Sequence, residues 1–218
     1  MSTAIHRFSI IDGSIDYVGS GEIDGYLINQ FALDEYNGYL RVATASFTGE
    51  SAGTTGIISL FSTAPTRVTN IYVLDLNLNV VGRLEGLAPR ELLHSVRFLG
   101  DIGYLVTFLK TDPLFVVDLS CPPWPRLLGQ LEITGYSDYL HPLGDHQLLG
   151  IGKEAVPAAE TWWWFAGVKL SLFDATNPCL PKERARLVLG VRGTDSEALY
   201  DHKAVLIDPA RELLVIPV

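Results

Sequence analysis

The sequence predicts an all-β chain built from antiparallel four-stranded units that repeat along its length. Three short apolar runs end in aspartate, at Val73-Leu74-Asp75, Val116-Val117-Asp118 and Leu172-Phe173-Asp174, and these aspartates lie 43 and 56 residues apart. The tetrapeptide Gly82-Arg83-Leu84-Glu85 recurs as Gly129-Gln130-Leu131-Glu132. A period near 43 residues, filled with short strand-like runs, is typical of β-propeller blades.

The elements can be assigned in chain order, with strand a innermost and strand d outermost in each blade. Residues 5–10 and 15–18 flank Asp12-Gly13 and predict a hairpin equivalent to strands c and d. Three full blades follow. The first has strands a to d at 26–34, 39–45, 71–75 and 80–84, and the second has them at 95–99, 103–108, 114–118 and 127–133. The third has them at 139–143, 147–151, 168–174 and 184–189. Residues 198–207 and 213–218 predict strands a and b of one further blade.

The two terminal half-blades leave two interpretations open for the predicted domain at residues 1–218. They could pair to complete a fourth blade, which would close a small ring and remove exposed sheet edges. Alternatively the chain is part of a larger propeller, containing three full blades and two half-blades. Its ending on the apolar run Val215-Ile216-Pro217-Val218 favours this second interpretation.

Two segments break the period and are predicted to be loop insertions, at residues 46–70 and 153–166. Both lie between a strand b and a strand c, so the repeat places them on one face. Insertions on a single face of a repeat array commonly mark a binding face.

Composition restricts the possible partners. The 218 residues are 48% hydrophobic and 19% charged, and the formal net charge is −9 with 16 scattered basic residues. Nucleic acid is excluded as an expected partner because phosphate binding requires concentrated positive charge. No apolar run reaches the ~18 residues of a membrane helix, so no membrane insertion is expected. A cationic partner, a neutral glycan or a divalent cation remains compatible with this charge. Cys121 and Cys179 lie in separate Pro-rich turns and are predicted to be free thiols.

Polar residues on the inner strands are candidates for a channel-mouth site, since strand a lines the central channel of a propeller. They are Asn29, Ser95, Asp138, Tyr139, His141, Glu197, Asp201 and His202. An Asp near a His can support general-base chemistry, with the carboxylate orienting the ring. The alternative is that inner strands simply tolerate polar residues because they meet water. No spacing typical of a metal site is present.

The insertion side carries the other candidate binding residues. Trp162, Trp163 and Trp164 are consecutive, and neighbouring strand residues alternate faces, so at least one ring is expected to be exposed. Arg192 and Asp195 lie in a polar turn with Gly193, where Arg192 could bind an anion or the turn could be purely structural. The aspartates that end each strand c are predicted to be turn residues.

Several segments resemble prokaryotic secreted proteins with a C-terminal β-propeller domain. They are residues 27–44, 95–98, 104–108 and 112–115, with Lys169-Leu170-Ser171-Leu172-Phe173-Asp174 and residues 196–204. The resemblance covers nearly all of the chain outside the two insertions. It implies a propeller fold, longer relatives and an extracellular or cell-envelope location, and it supplies no catalytic residues. The segment Met1–Arg7 has no apolar core of signal-peptide type, so the sequence as written predicts a cytoplasmic chain.

The leading functional hypothesis is therefore a non-catalytic binding or scaffold module that presents one face to a protein or glycan, with no cofactor. Two alternatives stay open. One is a hydrolase or lyase that uses the channel-mouth Asp and His residues, and the other is a truncated fragment without independent function.

Overall fold

A computed structural model describes residues 1–48, 65–109, 112–144, 146–159 and 162–218. Its strands form three four-stranded antiparallel sheets and two two-stranded hairpins, which confirms the predicted all-β fold of propeller-type blades. The strands are β1 (Ser2–Ile11), β2 (Ser14–Asp24), β3 (Leu33–Tyr36), β4 (Tyr39–Thr48), β5 (Thr66–Leu74), β6 (Val80–Leu87), β7 (Leu92–Leu99), β8 (Ile102–Phe108), β9 (Asp112–Asp118), β10 (Arg126–Ile133), β11 (Tyr136–Pro142), β12 (Gln147–Ala159), β13 (Trp162–Asp174), β14 (Lys182–Leu189), β15 (Leu206–Asp208) and β16 (Leu213–Val215).

The chain divides into two compact units. The first contains residues 1–92 and 120–125, and the second contains residues 93–119 and 126–218. The first unit holds the β1–β2 hairpin and the first blade, β3-β4-β5-β6. The second unit holds the second blade, β7-β8-β9-β10, the third blade, β11-β12-β13-β14, and the β15–β16 hairpin. The expectation that residues 1–218 form one domain stays a prediction.

Tight turns set the register of the early hairpins. Asp12 and Gly13 have φ of 50° and 79°, and Asn37 and Gly38 have φ of 52° and 79°. Two consecutive positive φ values match the two-residue turn whose twist suits antiparallel strands. Both predicted hairpins are therefore confirmed, with Ile11 opposite Ser14 and Tyr36 opposite Tyr39.

Two of the predicted inner strands are wrong. Residues 26–34 contain a 3-10 turn at Gln30–Ala32, so β3 begins only at Leu33. Residues 198–207 contain 3-10 turns at Glu197–Leu199 and His202–Ala204. The cause is local, because short polar side chains accept hydrogen bonds from nearby backbone N–H groups and so favour turns over strand pairing. The acceptors are Asn29, Ser196 and Asp201.

The repeated glycine tetrapeptide has a packing explanation. A Cβ added at Gly82 would lie 1.9 Å from the carbonyl oxygen of Pro122, and one added at Gly129 would lie 2.6 Å from that of Pro178. In each case the turn between strands c and d of the next blade rests on a strand d. A Cβ at Gly21 would meet the Leu78 carbonyl oxygen at 2.5 Å. Gly21-Glu22-Ile23-Asp24 is therefore a third copy, which sequence analysis missed because Ile and Asp replace Leu and Glu.

The aspartates that end the strands c are structural, as predicted. Asp75 accepts hydrogen bonds from the backbone N–H groups of Asn77 and Asn79 at 2.8 and 2.9 Å. The equivalent residues in the next two blades also bind an arginine of strand d. Asp118 lies 2.8 Å from Nη2 of Arg126, and Asp174 lies 2.8 Å from Nη2 of Arg184.

These contacts predict a pH-dependent contribution to stability at Asp174. Hydrogen bonds from Thr176, then from Arg184, lower the pKa of the Asp174 carboxyl from 3.8 to about 2. Because the folded state favours the ionised form, the stabilisation is present above pH 3.8 and is lost as the pH falls through about 2. We expect Asp174→Asn to melt below wild type at pH 6, and the gap to close as the pH approaches 2.

The control for this prediction is Arg184→Met, which keeps the carboxylate and its bonds to Thr176. At pH 6 its melting temperature should lie between those of wild type and Asp174→Asn. Identical melting curves for wild type and Asp174→Asn at pH 6 would show that the turn does not need the carboxylate.

Each unit has its own apolar core. In the first unit, Ile23 of β2 packs with Val42, Tyr72 and Leu74 of the first blade and with Leu78. In the second unit, one cluster joins the second and third blades. Its buried members are Tyr104, Val106, Leu114, Val116, Ile133, Leu140, Leu148, Phe173 and Ala175.

The two predicted insertions have different outcomes. Residues 46–48 and 66–70 extend β4 and β5, while residues 49–64 lie outside the described part of the chain. The expectation of a loop at 153–166 is wrong, because β12 and β13 continue to pair as far as Ala159 opposite Trp162. Aromatic residues favour strands, and the run at 162–165 supplies that propensity. Cys121 and Cys179 are free and exposed, as predicted.

Candidate functional site

The inner strands of the second and third blades are joined by side chains. His94 Nδ1 lies 3.0 Å from Asp138 Oδ1. The Ser95 hydroxyl donates to the Ser137 carbonyl at 2.6 Å, and Arg97 Nε donates to the Leu140 carbonyl at 2.9 Å. Ser95, a candidate for the channel mouth, is thus a buried structural residue.

The structure does not pair Asp138 with His141. Asp138 lies at an irregularity in the β11–β12 register, between Ser137 and Tyr139, and its carboxylate contacts His94. His141 Nδ1 lies 2.9 Å from the Tyr139 hydroxyl instead. Burial, and then the positive charge of Arg97, lower the pKa of His141 and so favour the neutral ring.

The other predicted carboxylate and imidazole, Asp201 and His202, also make contacts within the fold. Asp201 accepts the Lys203 N–H at 2.9 Å, and its carboxylate lies 3.8 Å from His202 Nδ1. The His202 ring lies 6.2 Å from the Tyr139 ring. Asn29, the remaining inner-strand candidate, accepts the Phe31 N–H at 2.9 Å. Among the described residues, no three potential metal ligands converge.

The extension of β12 and β13 forms a two-stranded ribbon, defined here as residues 154–159 and 162–165. One side of the ribbon packs on an aromatic cluster. The Phe165 ring lies 5.1 Å from Tyr136 at 87° and 5.6 Å from Phe108. The Tyr136 ring stacks on His94 at 4.2 Å. Phe165, itself 41% exposed, therefore links the ribbon to β8 and β11.

The opposite side of the ribbon carries Trp164 and Val156. Trp164 is 46% exposed, and Val156, directly across the ribbon, is 41% exposed. The Arg192 guanidinium carbon lies 3.5 Å from the centre of the Trp164 ring, so Arg192 makes a cation–π contact. We call Val156, Trp164 and Arg192 the Trp164 patch. The expected exposure of at least one tryptophan is confirmed, Trp163 is half-buried, and the Trp162 side chain lies outside the described residues.

The turn that carries Arg192 is fixed by polar contacts. Gly193 has φ of 91°, a conformation that suits glycine. The Asp195 carboxylate lies 3.0 Å from Lys153 Nζ at the base of the ribbon, and it accepts the Ser196 N–H at 3.0 Å. The hydrogen bond from Lys153, which has the larger effect, and the one from the Ser196 N–H lower the pKa of Asp195. The Tyr200 hydroxyl donates a third hydrogen bond to this carboxylate. Lys153 also donates to the Thr194 carbonyl.

The structure separates the predicted site residues into four places. Trp164 and Arg192 meet on the ribbon, with Asp195 in the turn beside them. Tyr139, His141 and His202 form a second group, and Asp138 is bound to His94. Glu197 lies in a small cleft with Asp195 and Tyr200.

Sequence reasoning missed His94, Phe108, Tyr136, Lys153 and Val156. For one of them a signal was present, because His94 lies 44 residues before Asp138, one repeat earlier. Pairing of equivalent positions in adjacent blades would have suggested their contact.

Comparison with known proteins agrees with this architecture. The family model described as "Beta propeller domain" matches residues 1–218. An uncharacterized protein of Archaeoglobus fulgidus is 39% identical over 215 residues, which are 99% of this chain and 29% of that protein. An uncharacterized protein of Methanocaldococcus jannaschii is 42% identical over 200 residues, which are 92% of this chain and 28% of that protein. The chain thus spans less than a third of the length of either relative, and it belongs to the β-propeller domain family.

Proposed function

We propose that this β-propeller domain is a non-catalytic binding module that uses the Trp164 patch to contact a protein partner. The observation that supports the proposal is an exposed tryptophan stacked with an arginine on a projecting ribbon. Trp and Arg are enriched among the residues that dominate protein interfaces. Apolar and aromatic groups at the centre of a contact also contribute most of its affinity.

The contacts behind the patch favour binding without rearrangement. Phe165 holds one side of the ribbon against Tyr136 and Phe108, and Lys153 links its base to Asp195. A surface that is already ordered loses less conformational entropy on association.

The composition of the patch favours a protein over a glycan. A sugar ring stacks on a free aromatic face, whereas Arg192 covers one face of Trp164. Val156 adds an aliphatic contact beside the ring. A mixture of aromatic, aliphatic and guanidinium groups suits a peptide surface better than a saccharide.

The carboxylate and imidazole groups give the hydrolase or lyase alternative less support. Asp138 contacts His94, but His94 Nε2 is buried without a hydrogen-bond partner and so is closed to a substrate. Asp138 and His141 have separate partners, and the Asp201 carboxylate accepts a backbone N–H. A general base needs an orienting carboxylate and a free ring nitrogen directed at substrate.

The proposed location is outside the cell or in the cell envelope, by resemblance to secreted propeller proteins. Fractionation of cells that express the complete protein tests this. Recovery from the envelope or medium supports the proposal, and recovery from the cytosol rejects it. No helical segment in the described ranges has the length and apolarity of a membrane span.

Replacing Trp164 with serine should weaken partner binding by about 30-fold, which corresponds to a loss of roughly 2 kcal/mol at an interface hot spot. The measurement is capture from an envelope extract by immobilised domain, followed by Kd measurement on the purified partner. Arg192→Ala should weaken the same interaction, because it removes the cation over the ring.

The matched control is Trp124→Ser, which removes a tryptophan that is 73% exposed and outside the patch. Wild-type melting temperatures for all variants establish that folding is retained. Equal binding by wild type and Trp164→Ser would reject the proposal. If the domain binds a glycan and Trp164→Ser abolishes that binding, the ligand of the patch is a saccharide and not a protein.

A further inference from the structure

The first blade contains an open cavity that is separate from the Trp164 patch. Its volume is about 530 Å³, within the range of sites for small organic ligands. Its lining includes Asp24, Phe47, Val68, Asn70, Tyr72 and Glu85.

The floor of the cavity is an ordered polar surface. The Tyr72 side chain is buried, and its hydroxyl donates to Glu85 Oε1 at 3.0 Å. Beside it, Asn70 Nδ2 donates to the Ser46 hydroxyl at 2.8 Å and Asn70 Oδ1 accepts the Gly86 N–H at 2.9 Å. These bonds hold the Glu85 carboxylate and the Asn70 amide in place before any ligand arrives.

Two carboxylates line the cavity, those of Asp24 and Glu85. Asp24 and Glu85 both lie close enough to the Tyr72 hydroxyl to raise its pKa, after the larger contribution of burial. Two arginines lie near these groups: the Arg83 guanidinium lies 3.9 Å from Glu85 and is 61% exposed, and the Arg67 guanidinium carbon lies 5.8 Å from the centre of the Phe47 ring. A cation bound between the carboxylates would be favoured electrostatically, and Phe47 and Val68 supply apolar contact for a hydrocarbon stem.

The repeat shows that these groups are not required by the blade fold. Tyr72 lies opposite Arg83 on β6, and Phe115 lies at the equivalent position opposite Gln130 on β10. The second blade keeps the glutamate of the tetrapeptide as Glu132 but has no hydroxyl at Phe115 to hold it. The pairing of a tyrosine with the tetrapeptide glutamate is therefore present in the first blade and absent from the second.

We propose that the first-blade cavity binds an organic cation, an alkylammonium or alkylguanidinium group on an aliphatic stem. Two sources share this chemistry: a free amine, and a lysine or arginine side chain of a polypeptide. The proposal concerns the first unit alone and does not depend on the function assigned to the Trp164 patch.

The test is titration of the 218-residue chain with n-butylammonium and n-butylguanidinium, followed by NMR shifts or calorimetry. We expect saturable binding that neutral n-butanol does not reproduce. Glu85→Gln and Asp24→Asn should each weaken binding by about 10-fold, as expected for loss of one charge-assisted contact. Tyr72→Phe, which imitates the second blade, should also weaken it.

The matched control is Glu132→Gln, which removes one negative charge at the repeat-equivalent position. It should leave the affinity unchanged. Equal weakening by Glu132→Gln and Glu85→Gln, equal binding of n-butanol, or no saturable binding would each overturn the proposal. Comparison with Nα-acetyl-lysine methylamide separates the sources, because tighter binding of this probe indicates a polypeptide side chain and tighter binding of the free amine indicates a small molecule.

Discussion

Gly82→Ala should lower the free energy of unfolding by about 3 kcal/mol, an effect at the upper end for added volume in a packed site. A methyl group at this position would lie 1.9 Å from the Pro122 carbonyl oxygen. Because the obstructing atom belongs to the backbone, no side-chain rotation can relieve the contact. The turn at residues 120–125 would have to move away from β6. Urea unfolding at constant m-value measures the effect.

Gly19→Ala is the control for this prediction. It places a methyl group on β2 where nothing lies within 4 Å, so its stability should change by less than about 0.5 kcal/mol. Gly129→Ala, with its closest contact at 2.6 Å, should fall between the two. If Gly82→Ala and Gly19→Ala unfold at the same urea concentration, the turn does not rest on the glycine.

Phe173→Ala should destabilise the chain by about 3 to 5 kcal/mol, the range for loss of a buried aromatic side chain. Phe173 is fully buried in the cluster that joins the second and third blades. Its ring also packs over Gly150, where an added Cβ would lie 2.7 Å from the ring. Removing the ring leaves a cavity that neighbouring strands can fill only by shifting the whole sheet.

Two variants test whether a cavity causes this loss of stability. Phe8→Ala removes a phenylalanine that is 55% exposed and should cost far less. Phe173→Leu keeps most of the apolar volume and should recover part of the stability. Equal unfolding free energies for Phe173→Ala and Phe8→Ala would exclude a cavity at the blade interface.

Local rules allowed the sequence to predict most of the blades. Asp12-Gly13 and Asn37-Gly38 adopt the positive φ values of tight hairpin turns, and their partners follow in register. The repeated aspartates and glycines recur because each blade makes the same turn against its neighbour. Such features depend on a few adjacent residues, so they can be recognised without knowledge of the fold.

The failures occurred where local and long-range preferences compete. Residues 26–34 and 198–207 have apolar runs typical of strands, yet Asn29, Ser196 and Asp201 redirect the backbone into 3-10 turns. The tryptophan run has loop-like flanks, but pairing across the chain extends β12 and β13 through it. Propensity alone could not decide either competition, because the alternatives differ little in local free energy.

The sequence by itself therefore determined the all-β class, the blade repeat and the structural aspartates, since each depends on residue spacing or turn chemistry. Only the tertiary structure decided the partners. It places His94 against Asp138 and Arg192 over Trp164, and it gathers Asp24, Tyr72 and Glu85 around one cavity. These contacts join residues from different strands or blades. The repeat spacing can suggest which positions of adjacent blades are neighbours, as for His94 and Asp138, but the contacts themselves depend on how the sheets twist and pack.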